Sequence, residues 1–164
     1  MTLALVTAEE PAPLVLIVIL NWRGWRDTLD CLDSLLELSY SRYSVVVVDN
    51  ASGDESLSKI EDWARSRDIP LRAYRLPCGE ESPLLVAGQE KRETGFQSLE
   101  LIASAENTGF CVGNNRGMAH AVDVGAEFLL VLNNDTICEA GFLELLVEAA
   151  QQDPSAGLLC PLIC

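Results

Sequence analysis

Four polar side chains directly follow an apolar run in the stretch FLLVLNNDTICEAG. They are Asn133, Asn134, Asp135 and Thr136, and all of them carry oxygen atoms. Hard divalent cations prefer oxygen ligands, and magnesium is commonly held by one or two carboxylates, with substrate phosphates and water completing its shell. We therefore interpret Asp135 as the anchor of a metal site at the end of a strand.

A second carboxylate stands in an equivalent place. Asp49 ends the apolar run SVVVVDN, and Asn50 comes directly after it. Ligands of open parallel sheets bind beyond the carboxyl ends of the strands, because loops and helix N-termini converge there. Either carboxylate alone could equally cap a helix or complete a turn. Two of them at one sheet edge favour a binding site.

The segment ENTGFCVGNNRGM is rich in glycine and asparagine. Its glycines allow close approach of the backbone, and its polar side chains supply hydrogen-bond donors. Exposed amide groups at a helix start suit an anion such as a diphosphate. The alternative is a loop that only turns the chain. The glycines are Gly109, Gly113 and Gly117, and the donors are Asn107, Asn114, Asn115 and Arg116.

Strand and helix patterns alternate along the chain and predict the elements that position these side chains. Continuous apolar runs rich in β-branched residues predict strands buried on both faces, and apolar stripes at helical spacing predict amphipathic helices between them. The predicted fold class is α/β, a mainly parallel, Rossmann-like sheet with helices on both faces. The predicted strands are Leu14–Leu20, Ser44–Asn50, Leu71–Leu76, Ser98–Ser104 and 127–132.

The same patterns predict one domain over residues 14–164, preceded by a flexible tail at 1–13. Residues 77–97 are longer than most connections in compact domains, so we expect a long loop or an inserted hairpin there. A helix is predicted from about Asn114 to Val124, with Gly125 placed to end it.

Charge and hydropathy exclude two classes of function. Eleven basic against 25 acidic residues give a net charge of −14, which would repel the phosphate backbone of nucleic acids. The longest apolar run, Leu14–Leu20, has seven residues, far fewer than the roughly 20 of a membrane-spanning helix. Since the first residues also lack the pattern of a secretory signal, we expect a cytoplasmic protein.

Four motifs together resemble the family 2 glycosyltransferases of the GT-A fold, in particular their rhamnosyltransferase-like branch. They are VILNWRGWRDTLDCLDSLL, VVVVDNASGDES, ENTGFCVGNNRGMAHA and FLLVLNNDT, in the family's order and approximate spacing. The resemblance implies that Asp135 contacts a divalent metal, Mg²⁺ or Mn²⁺, within a D-x-D-like motif. It also implies that Asp49 meets the nucleotide base. The implied nucleotide-sugar contacts are Leu20, Asn21, Trp22, Asp49, Asn50, Asn107, Asn114, Asn115, Asn133 and Asn134.

Two departures from that family bear on catalysis. Asn133 stands where the family usually has the first Asp of its motif, and the family normally continues into an acceptor-binding half that carries the catalytic base. We expect the chain to end before that half, so the catalytic residue is not identified. His120 is the only histidine, and a structural or surface role for it is favoured over base chemistry.

The expected function is transfer of a sugar, with inversion, from a UDP- or dTDP-sugar to a saccharide or lipid-linked acceptor in cell-surface polysaccharide synthesis. The full-length protein would act at the inner face of the membrane. One alternative is a non-catalytic fragment that binds a nucleotide or a partner. Another is a nucleotidyltransferase, although NWRGWRD is a poor version of that class's glycine-rich, basic loop. The apolar terminus, with Leu158, Leu159, Leu162 and Ile163, predicts a homo-oligomer or a second chain covering it.

Overall fold

The computed structural model describes residues 11–161, which form one six-stranded sheet and four helices. The strands lie side by side in the order β4-β3-β5-β2-β1-β6. The strands are β1 (Val15–Asn21), β2 (Arg42–Asp49), β3 (Leu71–Leu76), β4 (Leu84–Gly88), β5 (Gly95–Ser104) and β6 (Phe128–Asn133). The helices are α1 (Trp25–Leu36), α2 (Ser56–Ser66), α3 (Gly109–Asp123) and α4 (Phe142–Gln152).

All neighbouring strands are parallel except β4, which runs antiparallel to β3. The register of the parallel pairs determines which residues lie side by side at the carboxyl edge of the sheet. Asn21 lies opposite Asp49, and Leu20 lies opposite Asn133. The predicted α/β fold with a mainly parallel sheet is confirmed, and the register brings the ends of β1, β2 and β6 together.

Helices cover both faces of the sheet, as predicted. On one face, α1, α2 and α4 pack on the strands through buried residues such as Leu32, Ile60 and Leu143. On the other face, α3 packs through Ala121 on Val18 and Val48. The two apolar layers share strands that are buried on both sides, which explains why β1 and β2 read as unbroken apolar runs.

Residues 77–97 contain a strand that was predicted only as one alternative. β4 folds back on β3 as a hairpin at the sheet edge, and its five residues are all exposed. The following strand, β5, begins at Gly95 rather than Ser98. A short apolar run such as LLVAG does not by itself distinguish a strand from a buried helix segment, so the pattern left this element open.

Helix α3 begins at Gly109, and the predicted start at Asn114 was wrong. Two of the three glycines that we assigned to close approach of a ligand, Gly113 and Gly117, instead allow close packing of the helix on the sheet, whereas Gly109 lines the cleft described below. A Cβ built on Gly113 would lie 2.5 Å from Cδ1 of Leu20, and one on Gly117 would overlap Val18. Glycine has poor intrinsic helix propensity, so the sequence pattern did not extend the predicted helix back through Gly113 to Gly109.

The apolar terminus is exposed where it is described. Leu158 is 89% exposed and Leu159 is 40% exposed, whereas Leu162 and Ile163 lie outside the described residues. Among residues 11–161, no helix has both the length and the apolar character needed to cross a membrane.

Candidate functional site

A cleft of about 380 Å³ opens at the carboxyl edge of the sheet, between the end of β6 and the start of α3. Five asparagines contribute to it, and none of the side chains within residues 11–161 that line it is charged. We call it the amide cleft. Its lining residues are Leu20, Trp22, Asn50, Asn107, Gly109, Phe110, Asn114, Leu132, Asn133 and Asn134.

Asp49 lies behind the wall of this cleft and is only 2% exposed. Its Oδ1 accepts hydrogen bonds from Asn21 Nδ2 at 2.7 Å and from Ser52 Oγ at 2.5 Å. Its Oδ2 accepts from the Ser52 backbone N–H at 3.1 Å. The carboxylate therefore ties the ends of β1 and β2 to the turn that follows β2.

Ser52, which the motifs did not identify as a site residue, is the centre of this arrangement. Its Oγ also accepts from Asn21 Nδ2 and from the Arg23 backbone N–H at 2.9 Å. Arg23 and Ala51 have positive φ angles of 56° and 55°. Such left-handed backbone is costly for residues with a Cβ, and it persists where surrounding contacts hold it. Ser52 supplies part of that support.

Asn134 links β6 to α1 on the other side of the cleft. Its Nδ2 donates to the Gly24 carbonyl at 3.3 Å and to Thr28 Oγ1 at 3.2 Å. A Cβ on Gly24 would come within 2.8 Å of that Nδ2, so glycine is needed for this approach. Both hydrogen bonds that the Asn134 amide donates therefore hold α1 in place.

Two exposed aromatic rings line the cleft. Trp22, at the end of β1, is 54% exposed, and Phe110, in the first turn of α3, is 63% exposed. Phe110 was not among the predicted site residues, because a single phenylalanine in a glycine-rich segment carries no spacing signal. Exposed aromatic rings can stack on a nucleobase or on the apolar face of a sugar.

Asp135 lies exposed beside Asn134, at the end of β6. Within residues 11–161, no group of three or more His, Cys, Asp and Glu side chains could hold a cation by itself. One carboxylate with nearby amide oxygens fits a magnesium or manganese ion that takes its remaining ligands from phosphates and water. The residues therefore fit a metal that arrives with a diphosphate.

His120 is not part of the cleft. It is 5% exposed, and its Nε2 lies 2.6 Å from Oε2 of Glu100, which is fully buried. Lys91 Nζ lies 2.5 Å from the other oxygen of Glu100, and Tyr74 Oη donates to Oε2 at 2.9 Å. We call these four residues the Glu100 cluster. Burial alone would raise the pKa of Glu100, but hydrogen bonds from His120 and Lys91 and the charge of Lys91 lower it to about 2.

The structure brings most of the predicted site residues together. Seven of them line the cleft: Leu20, Trp22, Asn50, Asn107, Asn114, Asn133 and Asn134. The other four lie around it. Asn21 and Asp49 are buried behind its wall, Asp135 is exposed next to it, and Asn115 is exposed on α3.

The sequence matches the family model described as Glycosyl transferase family 2 over residues 15–82. A comparison with curated proteins found no match. Among solved structures, the mannosyltransferase PcManGT from Pyrobaculum calidifontis, in complex with GDP-Man and Mn²⁺, is similar with a TM-score of 0.62 and 22% identity over 88% of this chain. S. aureus TarS 1-349 in complex with UDP gives a TM-score of 0.58 and 16% identity over 84% of this chain.

This chain spans about a third of the length of those structures, 34% of the mannosyltransferase and 32% of TarS 1-349. Similarity at these identities establishes the architecture and not the substrates. The amide cleft lies at the carboxyl edge, where ligands of such sheets bind. The chain therefore has the GT-A glycosyltransferase fold, and residues 15–82 carry the sequence pattern of glycosyl transferase family 2.

Proposed function

We propose that this chain provides the nucleotide-sugar-binding part of an inverting glycosyltransferase of the rhamnosyltransferase-like branch. It would act on a UDP- or dTDP-sugar in cell-surface polysaccharide synthesis, in the cytoplasm at the inner face of the membrane. The acceptor is a saccharide or a lipid-linked saccharide. Support comes from the family match over residues 15–82, from neighbours whose structures contain UDP or GDP-Man, and from the position of the cleft.

One observation carries the proposal: the exposed carboxylate of Asp135 directly follows Asn133 and Asn134, which line a cleft rich in neutral amides. A nucleotide diphosphate is an anion, and neutral amides alone do not neutralise it. With a net charge of −14, the protein as a whole opposes such a ligand. A divalent cation held between Asp135 and the diphosphate resolves this conflict, and it would stabilise the departing diphosphate during transfer.

Within the proposal, the predicted contacts divide by position. Asp49 accepts the N3–H of a uracil or thymine base through the remaining capacity of its carboxylate. Trp22 and Phe110 flank the nucleoside, and the polar side chains near the start of α3 and at the end of β6 contact the diphosphate and sugar. Those side chains are Asn107, Asn114, Asn115, Asn133 and Asn134, with Leu20 and Asn21 beneath them.

Calorimetric titration with UDP, dTDP and GDP, each with Mn²⁺, Mg²⁺ or EDTA, tests this function. We expect uridine or thymidine diphosphate to bind with metal, and the Asp135→Asn variant to lose the metal-dependent part of the affinity while its melting temperature is unchanged. Asp123→Asn, which changes an exposed carboxylate at the far end of α3, is the matched control. Equal metal-dependent affinity in the Asp135→Asn variant and the parent would refute the metal assignment.

A second candidate function is binding of a nucleotide or a partner without transfer. It is favoured by the open apolar surface of β6, where Leu129 is 41% exposed and Val131 is 44% exposed. Incubation with UDP- and dTDP-sugars and a panel of saccharide acceptors, with product configuration read by NMR, separates the two. Transfer with inversion supports the first function and refutes the second. Nucleotide binding without transfer by these 164 residues agrees with both, because the first function assigns only nucleotide-sugar binding to this chain.

A further inference from the structure

Asn50 lies at the end of β2, and its side chain is directed at the segment that begins α3. Its Oδ1 accepts from the Thr108 backbone N–H at 3.1 Å. Its Nδ2 donates to Asn107 Oδ1 at 3.0 Å and to the Gly109 carbonyl at 3.2 Å. Asn50 is 2% exposed, whereas Asn107 and Gly109 are exposed, so these part-buried bonds join a buried side chain to a segment at the surface.

An asparagine side chain offers two donor hydrogens and two acceptor lone pairs. In Asn50, both hydrogens and one lone pair are already used by the Asn107–Gly109 segment. Its neighbours are bonded in turn, because Asn107 Oδ1 also accepts from the Gly109 N–H at 2.9 Å. The side chain therefore retains little capacity for a ligand, although it borders the cleft.

The arrangement fixes which group of Asn107 faces the cleft. Its Oδ1 is occupied by Asn50 and by the Gly109 N–H, whereas its Nδ2 donates to no group within residues 11–161. Asn107 is exposed and lines the cleft, so two free N–H donors remain there for an acceptor. Gly109, at φ 78°, and Phe110 come after Thr108 and also line the cleft.

We infer that Asn50 is a positioning residue, which acts on the ligand through Asn107 and the first turn of α3 rather than by touching the ligand. It holds the Asn107 carbonyl oxygen inward, so that the Asn107 amide group presents donors to a diphosphate or a sugar hydroxyl. It also fixes the turn that carries Phe110. This inference rests on the proposed function for its ligand, but its hydrogen bonds can be tested without one.

The test compares Asn50→Ala and Asn50→Asp with the parent, and Gln152→Ala, an exposed amide at the end of α4, is the control. Amide exchange measured by NMR reports the Thr108 and Gly109 N–H groups and the core amides of β1 and β2. Titration with UDP and Mn²⁺ reports affinity. Exchange at a single amide responds to local opening without global unfolding.

In Asn50→Ala we expect exchange at Thr108 and Gly109 to rise about tenfold, with the β1 and β2 amides unchanged, and UDP affinity to fall about tenfold. In Asn50→Asp the carboxylate still accepts from Thr108, so that amide stays protected. The carboxylate also draws the Asn107 amide donors inward, so Gly109 loses protection and affinity falls as in Asn50→Ala. Gln152→Ala should match the parent in both measurements.

Two results would overturn the inference. Reduced affinity with unchanged exchange at Thr108 and Gly109 would make Asn50 a direct ligand contact. Faster exchange throughout β1 and β2 would make it a general stabiliser of the fold. If the parent binds no nucleotide, the proposed function fails, and the exchange pattern of the two variants still decides whether Asn50 holds the start of α3.

Discussion

Helix α3 contributes to two polar regions, which differ in whether their polar groups are fully bonded within the protein. Its C-terminal half contributes His120 to the Glu100 cluster, where a charged carboxylate is fully buried and bonded on both oxygens. Its N-terminal turn lines the amide cleft, where the polar groups are neutral and some of them have free donors. A buried polar group whose bonds are all made within the protein stabilises the fold, and one with unused capacity can bind a ligand.

The same difference explains why a charged side chain is stable in the Glu100 cluster but not in the amide cleft without a bound partner. Glu100 can stay ionised without water because Lys91 and His120 bond to it, and Tyr74 completes the set. The cleft lacks such internal pairing, so any charge placed there must be balanced by something that binds. The proposed metal beside Asp135 is the counterpart of Lys91 in the Glu100 cluster.

The largest expected effect follows removal of the buried charge. Glu100→Gln leaves Lys91 without its carboxylate, and because the Lys91 side chain is 29% exposed, we place the cost at about 3 kcal/mol, the low end for breaking a buried ion pair on one side. We expect the free energy of unfolding, measured with urea, to fall by that amount. Glu90→Gln, an exposed change in the neighbouring loop, should cost little. A loss below about 1 kcal/mol in Glu100→Gln would show that the cluster does not stabilise the fold.

The pH dependence of stability provides a second test of whether the Glu100 carboxylate stabilises the fold. The pKa of Glu100 is lowered from 4.5 to about 2. Its ionised form therefore stabilises the fold fully above pH 4.5, and this contribution, about 3 kcal/mol, is lost as the pH falls toward 2. Urea unfolding between pH 6 and pH 2 should show the stability difference between the parent and Glu100→Gln shrinking over that window. A constant difference would contradict the lowered pKa.

Sequence patterns predicted five of the six strands and the sheet edge at which the cleft lies, because both depend on local order. The unbroken apolar runs of β1 and β2 and the polar residues at their ends are visible without contacts. The residues that brace the site were not predicted, because their partners are distant in sequence. Asn50 bonds to Asn107 and Asn134 bonds to Gly24 only after folding.

The Glu100 cluster was missed for the same reason. Its members come from β3, the loop before β5, β5 and α3, and no spacing relates them. Gly113 and Gly117 were misinterpreted because a glycine that allows close approach of a ligand and one that allows close packing on a strand look the same in the sequence. The overlap that a Cβ on Gly113 would make with Leu20 could be seen only once the helix was placed.

Asp49 shares features of both kinds of polar group, those bonded within the protein and those available to a ligand. It is buried and bonded like Glu100, yet we propose that it also receives a base. Asp49→Ala should weaken metal-free binding of uridine or thymidine diphosphate by roughly 1.5–3 kcal/mol, the cost of a lost charge-assisted hydrogen bond. Calorimetry in EDTA measures this change.

Asp49→Asn separates the two roles, because it keeps the shape and one acceptor oxygen for Asn21 and Ser52. We expect it to retain most of the stability that Asp49→Ala loses, while its affinity for the base falls. An unchanged dissociation constant in both variants would place the base elsewhere in the cleft.

The smallest expected effect is at Asn133, which is exposed, lines the cleft and takes the place of the first Asp in the D-x-D-like motif. Its side chain donates to and accepts from no group within residues 11–161, so Asn133→Ala should leave the melting temperature unchanged. If Asn133 binds the ligand through one neutral hydrogen bond, the binding free energy of UDP with Mn²⁺ should weaken by about 0.5–1.5 kcal/mol in Asn133→Ala.

Asn133→Asp adds a carboxylate oxygen beside Asp135, so nucleotide binding should depend more strongly on metal. Binding should be tighter with Mn²⁺, because the cation gains a ligand, and weaker in EDTA, because the diphosphate meets a second negative charge. Calorimetry of both variants, with and without metal, measures these changes. Equal affinities in the parent and both variants would show that the end of β6 does not contact the diphosphate, and the spare amide groups would then have to be explained on the α3 side of the cleft alone.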